Sequence, residues 1–139
     1  LRAVKNEGTV YAVDVDSEMI GFVSDMAIDD RGYDAVRAVL AEYNDPLLPT
    51  GEIDLIFTCN TYHHMQNRSI YFHNIRKALR NEGRVAIIDF DNRNWLIKLL
   101  GHWTLRETVI DELEAAGFAL QADHEFLDRQ FLLIFTESE

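Results

Sequence analysis

Residues Gly51–Met65 read GEIDLIFTCNTYHHM. The apolar run Ile53-Asp54-Leu55-Ile56-Phe57, preceded by Pro49-Thr50-Gly51, has the composition of a buried strand. The polar and aromatic cluster Cys59-Asn60-Thr61-Tyr62-His63-His64 then falls at the strand's carboxyl end, where open α/β sheets place their ligands. A hydrophobic core has no use for two histidines, a tyrosine, an asparagine and a threonine side by side. The cluster is therefore read as the floor of a binding cleft.

Upstream, Thr9–Val15 is rich in β-branched and apolar residues and reads as a second buried strand. Asp16 is placed to cap the following helix by accepting from the amide of Glu18 or Met19. In that helix Met19, Val23, Met26 and Ala27 keep helical spacing as an apolar stripe, with Asp30 in phase and Gly32 as terminator. Ala35–Leu40 suits a continued helix or a short strand. The break at Gly32 and the valines at 36 and 39 favour the strand, and turn chemistry from Glu42 to Gly51 predicts a loop.

Downstream, Asn67 or Ser69 is expected to open a helix carrying Tyr71, Phe72, Ile75, Ala78 and Leu79 on one face. That helix should end at Asn81-Glu82-Gly83, and Arg84–Phe90 should form another buried strand. Trp95, Leu96, Leu99 and Leu100 suggest a short amphipathic helix. Thr104 and Glu107 have capping-box spacing ahead of a helix with Val109, Ile110, Leu113 and Ala116 inward and Gly117 at its end. Phe118–Leu127 and Arg129–Thr136, joined at Asp128, predict an antiparallel hairpin. Strands alternating with helices specify a mainly parallel sheet, to which the hairpin adds an antiparallel element. With no repeat or linker, residues 1–139 are expected to form a single domain.

The chain has 139 residues, 47% of them hydrophobic, enough for a folded core. A formal charge of −11 argues against a nucleic-acid partner, because phosphate binding needs a basic surface. The lone cysteine, Cys59, excludes an intrachain disulfide and a cysteine cluster for zinc, which fits a reducing cytoplasm. No apolar run reaches the length of a membrane span, so no membrane partner is expected. His63 and His64 are adjacent and diverge, and no third ligand follows at useful spacing, so no metal site is expected.

The segments VYAVDVDSEMI, LAEYNDPLLPTGEIDLIFTCNTYHHM, FHNIRKALRNEGRVAIIDF and ELEAAGF, with the final hairpin, resemble class I S-adenosylmethionine-dependent methyltransferases. The likeness is strongest to the small-molecule, ubiquinone/menaquinone-like branch, and a single cysteine argues against the arsenite-type enzymes. The resemblance implies a Rossmann-like fold and methyl transfer to a small-molecule acceptor. It assigns Asp14 to the two ribose hydroxyls, Val15 and Met19 to the flanks of the adenine, and Glu42 with Tyr43 to its amino edge and ring. It places Asn60 beside the methionine part of the cofactor and Tyr62, His63 and His64 around the acceptor. A histidine there takes the acceptor's proton, His64 first and His63 second. Plainer roles stand beside these: a turn acid for Asp14, solvated loop residues for Glu42 and Tyr43, and a helix cap or packing group for one histidine.

The family's first strand and GxGxG loop have no counterpart here, and Leu1–Lys5 matches the end of the helix that follows them. The expectation is an N-terminally incomplete domain that binds S-adenosylmethionine poorly and associates with itself through an exposed sheet edge. The alternative is a degenerate methyltransferase-like domain that binds no cofactor and acts through a partner. A different doubly wound nucleotide enzyme ranks below both.

Overall fold

The computed structural model describes residues 8–28, 35–90 and 103–138, with the side chains of 27 and 28 outside the description. The chain divides between Leu48 and Pro49 into two compact units. The expected helix end at Leu1–Lys5, the stop at Gly32 and the amphipathic helix around Trp95 all lie outside the described residues.

In the first unit, β1 (Val10–Asp14) and β2 (Val36–Leu40) form a two-stranded parallel sheet with Asp14 opposite Leu40. The choice of strand over helix for Ala35–Leu40 therefore holds, with Ala35 as the turn before it. Helix α1 (Ser17–Ile28) starts as its sequence dictates: Asp16 Oδ1 accepts from the Glu18 amide at 2.8 Å and the Met19 amide at 3.4 Å. Its apolar stripe is not wholly buried, since Met19 and Met26 are exposed, as is Phe22 outside the stripe.

The second unit is a four-stranded sheet in the order β3 (Ile53–Cys59), β4 (Leu79–Phe90), β6 (Gln130–Glu137), β5 (Phe118–His124). β3 and β4 are parallel; β4–β6 and β6–β5 are antiparallel, so the C-terminal hairpin is present, with residues 125–129 as its loop. Register builds the core. Val85 faces Phe135 and Ile87 faces Leu133, all buried on one face, while Ile56 and Thr58 of β3 stand beside Val85 and Ile87. Helices α2 (Arg68–Ile75) and α3 (Arg106–Ala115) supply Phe72, Ile75, Val109 and Leu113 to the buried set.

Two sequence expectations are corrected. α2 ends at Ile75 and passes through a 3-10 turn, Arg76–Ala78, into β4, so Leu79 and Asn81-Glu82-Gly83 belong to a strand. The register between β3 and β4 jumps at this point, from Ile53 opposite Leu79 to Leu55 opposite Arg84. Extra residues are absorbed as a bulge, with Glu82 at φ 63°. The glycine that suggests a helix stop is instead required by crowding: a Cβ on Gly83 would meet the Arg80 carbonyl oxygen at 2.8 Å and that of Ile53 at 3.0 Å. The capping box at Thr104 does not form. Leu105 holds the N-cap position of α3 with no side-chain bond, and Thr104 is buried. The helix does end at Gly117, whose φ of 93° is a left-handed stop.

Because carbonyl groups of the sheet cannot swing away as a side chain would, Gly83→Ala should cost about 1–3 kcal/mol. Urea unfolding should show a lowered midpoint with an unchanged slope. A midpoint equal to that of the native protein would mean that the bulge relaxes freely.

Candidate functional site

In the second unit the parallel strands β3 and β4 end together, and the histidine cluster follows β3. Asn60 is left-handed, φ 55°, a conformation asparagine tolerates, and its amide donates to the Ile88 carbonyl at 2.9 Å. Gln130 stands opposite Phe90 in the register of β4 and β6, and its Nε2 donates to Asn60 Oδ1 at 2.6 Å. Thr61 Oγ1 turns back to the Cys59 carbonyl at 3.1 Å. The chain then makes one 3-10 turn, Tyr62–His64.

Each residue of that turn has a different surrounding. Tyr62 is fully buried: its hydroxyl donates to Glu112 Oε2 at 2.6 Å, and its ring packs against Phe72 with centroids 5.6 Å apart. Arg68 grips the same carboxylate twice, Nε to Oε2 at 2.7 Å and Nη2 to Oε1 at 2.9 Å, with its guanidinium carbon 4.9 Å from the Tyr62 ring centroid. Burial first, then the bond to Glu112 and its charge, push the Tyr62 phenol far above its ordinary range. The bond to Glu112 raises the Arg68 pKa. Tyr62 is thus a support of the turn, its hydroxyl and ring used inside the fold rather than turned outward to an acceptor.

His63 donates its backbone amide to Asp89 Oδ2 at 2.9 Å, and its Nδ1 lies 2.7 Å from Asp89 Oδ1. His64 is exposed, with its ring centroid 4.0 Å from that of His63. Among the described residues no group of three histidine, cysteine, aspartate or glutamate side chains is arranged to hold a metal ion.

The first unit gathers the remaining sequence-predicted residues. Asp14 is exposed at the carboxyl end of β1, its Oδ1 accepting from the Asp16 amide at 3.0 Å. Val15 and Met19 follow, both exposed. Glu42 comes just after β2, where Ala41 N donates to the Asp14 carbonyl at 2.8 Å, and Tyr43 is 75% exposed beside it. Asp14, Val15, Met19, Glu42 and Tyr43 thus cluster at the carboxyl ends of two paired strands. Sequence reasoning missed Asp89, Glu112, Arg68 and Gln130 as site residues. Asp89 carried a signal, an acid closing the apolar run Val85-Ala86-Ile87-Ile88. Glu112 carried none, since it looks like any polar position on an amphipathic helix.

The sequence profile described as a methyltransferase domain matches residues 1–87. The chain belongs to the methyltransferase domain family. Solved structures agree on the fold. A SAM-dependent methyltransferase from Aquifex aeolicus aligns with TM-score 0.83 at 22% identity, covering 96% of this chain and 71% of that one. The PH0226 protein from Pyrococcus horikoshii aligns at 0.77 and 13% identity, covering 99% and 76%. The trans-methyltransferase CalH, solved in complex with SAH, aligns at 0.72 and 15% identity, covering 94% and 43%. Among curated proteins none matches this methyltransferase domain in sequence. Its fold is the Rossmann-like fold of S-adenosylmethionine-dependent methyltransferases, with the mixed sheet described above. No helix among the described residues is long and apolar enough to cross a membrane.

Tyr62 gives a measurable consequence. Above pH ~10 an unfolded chain releases a phenolic proton that the folded chain retains at Tyr62, so its contribution is complete below that pH and declines as pH rises further. Tyr62→Phe should lose about 1–2 kcal/mol at neutral pH, the value of a hydrogen bond to a charged group that keeps another partner. It should also show a shallower alkaline decline in urea midpoint than the native protein. Parallel declines would place the Tyr62 hydroxyl outside the buried network.

Proposed function

We propose that this methyltransferase domain transfers the methyl group of S-adenosylmethionine to a small-molecule acceptor, in the manner of the ubiquinone/menaquinone-like branch it resembles, in the cytoplasm. The observation that carries this reading is the exposed Asp14 carboxylate at the end of β1, with Glu42 at the end of the paired strand. A carboxylate in that position accepts from both hydroxyls of a ribose and disfavours a phosphate, so the residues fit the nucleoside part of the cofactor. Val15, Met19 and Tyr43 offer exposed apolar and aromatic surface for an adenine. The resemblance gives Asn60 a role beside the methionine part of the cofactor and gives His64 and His63 the acceptor, with Tyr62 holding their turn in place. Bound S-adenosylmethionine supplies a methyl group on a sulfonium, and the protein's share is alignment and proton removal. The net charge of −11 supports a small acceptor over a polyanion.

Calorimetric titration with S-adenosylhomocysteine tests this. Asp14→Ala should weaken binding by about 2–3 kcal/mol, the scale of charge-assisted hydrogen bonds. Equal affinity in native and mutant protein would remove Asp14 from the site.

A second reading, association through an open sheet edge, has its own support. Among the described residues β1 pairs only with β2 and β3 only with β4, and Leu55 and Phe57 of β3 are 51% and 58% exposed. An unpaired edge with apolar side chains favours another chain as partner. Light scattering should then report a dimer or larger species. A monodisperse monomer that binds S-adenosylhomocysteine would count against association, whereas an oligomer with no heat of binding would favour the degenerate reading.

A further inference from the structure

We propose that a polar cavity at the amino-terminal end of β4 is a second small-molecule site, which takes a zwitterion of the amino-acid class between Arg84 and Glu82. This stands apart from the methyl-transfer reading above and needs neither the cofactor nor the histidine turn.

Two irregularities of the sheet meet at this cavity. Thr136 of β6 stands opposite Arg84 of β4 and opposite Ala119 of β5, so the three strands share one rung. On one side of that rung β4 carries the bulge before Arg84; on the other the register of β5 slips between Leu120 and Ala122 and leaves Gln121 outside the ladder. Bulges re-aim side chains. Here the extra residues of both strands, Asn81, Glu82 and Gln121, line a single cavity of about 620 Å³ together with Arg84 and Thr136. The charges on its wall select the ligand. Arg80 and Arg84 balance Glu82 and Glu137, so a multiply charged anion finds no excess of positive charge. Arg80 is already engaged, with Nη1 2.9 Å from Asp54 Oδ1 and Nη2 donating to the Glu52 carbonyl at 2.9 Å. Glu137 has Arg76 Nη2 at 3.9 Å. Arg84 and Glu82, both exposed, have no side-chain partner among the described residues, each other included. Opposite charges that line one cavity without meeting suit a molecule that carries the complementary pair. Its carboxylate would accept from the Arg84 guanidinium and its ammonium would donate to Glu82, while the amides of Asn81 and Gln121 supply neutral donors and acceptors. The site is remote from the histidine turn: at ~3.3 Å per residue, about 16 Å of β4 separates Arg84 from Asp89. One small ligand does not reach both, so the zwitterion is an effector and not a methyl acceptor.

The test is titration of nitrogen-15-labelled protein with glycine, β-alanine and γ-aminobutyrate, a series that widens the separation of the two charges. The side-chain amides of Asn81 and Gln121 report on the cavity directly. At least one of these zwitterions should shift both signals saturably, with butyrate, butylamine and inorganic phosphate weaker by about tenfold or more. Arg84→Gln and Glu82→Gln, at exposed positions, should each weaken that zwitterion by about tenfold, the loss of one charge-assisted contact. No saturable shift with any of the three overturns the proposal on native protein alone. Butyrate or phosphate binding as tightly as the zwitterion would make this a plain anion site and overturns it too, as does an unchanged affinity in either variant.

Discussion

The buried carboxylate of Asp89 ties together the end of β4 and the turn after β3. A parallel pair of strands can end in many ways, since nothing in the ladder dictates where the chain goes beyond its last hydrogen bond. Here the amide and ring of His63 reach back to one side chain on the neighbouring strand. Removing either partner would strand a charge or a polar ring where water does not reach, so the turn is held to one geometry by the cost of the alternatives. That constraint fixes the direction in which the cluster Asn60–His64 leaves the sheet.

A second carboxylate works from the other side. Glu112 on α3 accepts from Tyr62 and from Arg68 on α2, so the same 3-10 turn is pinned by the sheet through His63 and by two helices through Tyr62. Two adjacent residues thus lead to two separate anchors. Gln130 adds a third tie at Asn60, made from the first residue of β6. A site supported on strands and helices in this way is held more tightly than one carried by a free loop.

Much of this was legible in the sequence, and the reasons it failed elsewhere are physical. Period and composition expose strands such as Ile53–Cys59 because burial demands apolar residues there whatever the tertiary detail. Asp16 is legible as a cap because its partners lie two and three residues away. The β-bulge at Asn81–Gly83 was misread as a helix stop, since glycine serves both for a left-handed stop and for close approach of backbone; only the neighbouring carbonyls decide between them. Thr104 failed for the complementary reason: a capping sequence has an alternative, burial of the threonine, that tertiary packing selects. Tyr62 was read as an acceptor neighbour because a tyrosine beside histidines suits a cleft, yet its partner, Glu112, lies fifty residues away. Long-range pairing of this kind leaves no local trace.

The two units divide the work differently. In the first, Ala41 and Pro46 are the only buried residues among those described, and Asp14, Val15, Met19, Glu42 and Tyr43 all face solvent. A two-stranded sheet gains little from its own pairing alone, so a ligand that bridged these side chains would add to its order by mass action. In the second, the polar groups nearest the histidines are already paired and enclosed. Its geometry does not wait for a ligand. On the methyl-transfer reading proposed above, a nucleoside would firm up the first unit, whereas the turn after β3 needs no ligand to hold it, and a base on that turn gains from this because one misplaced by an ångström loses most of its advantage.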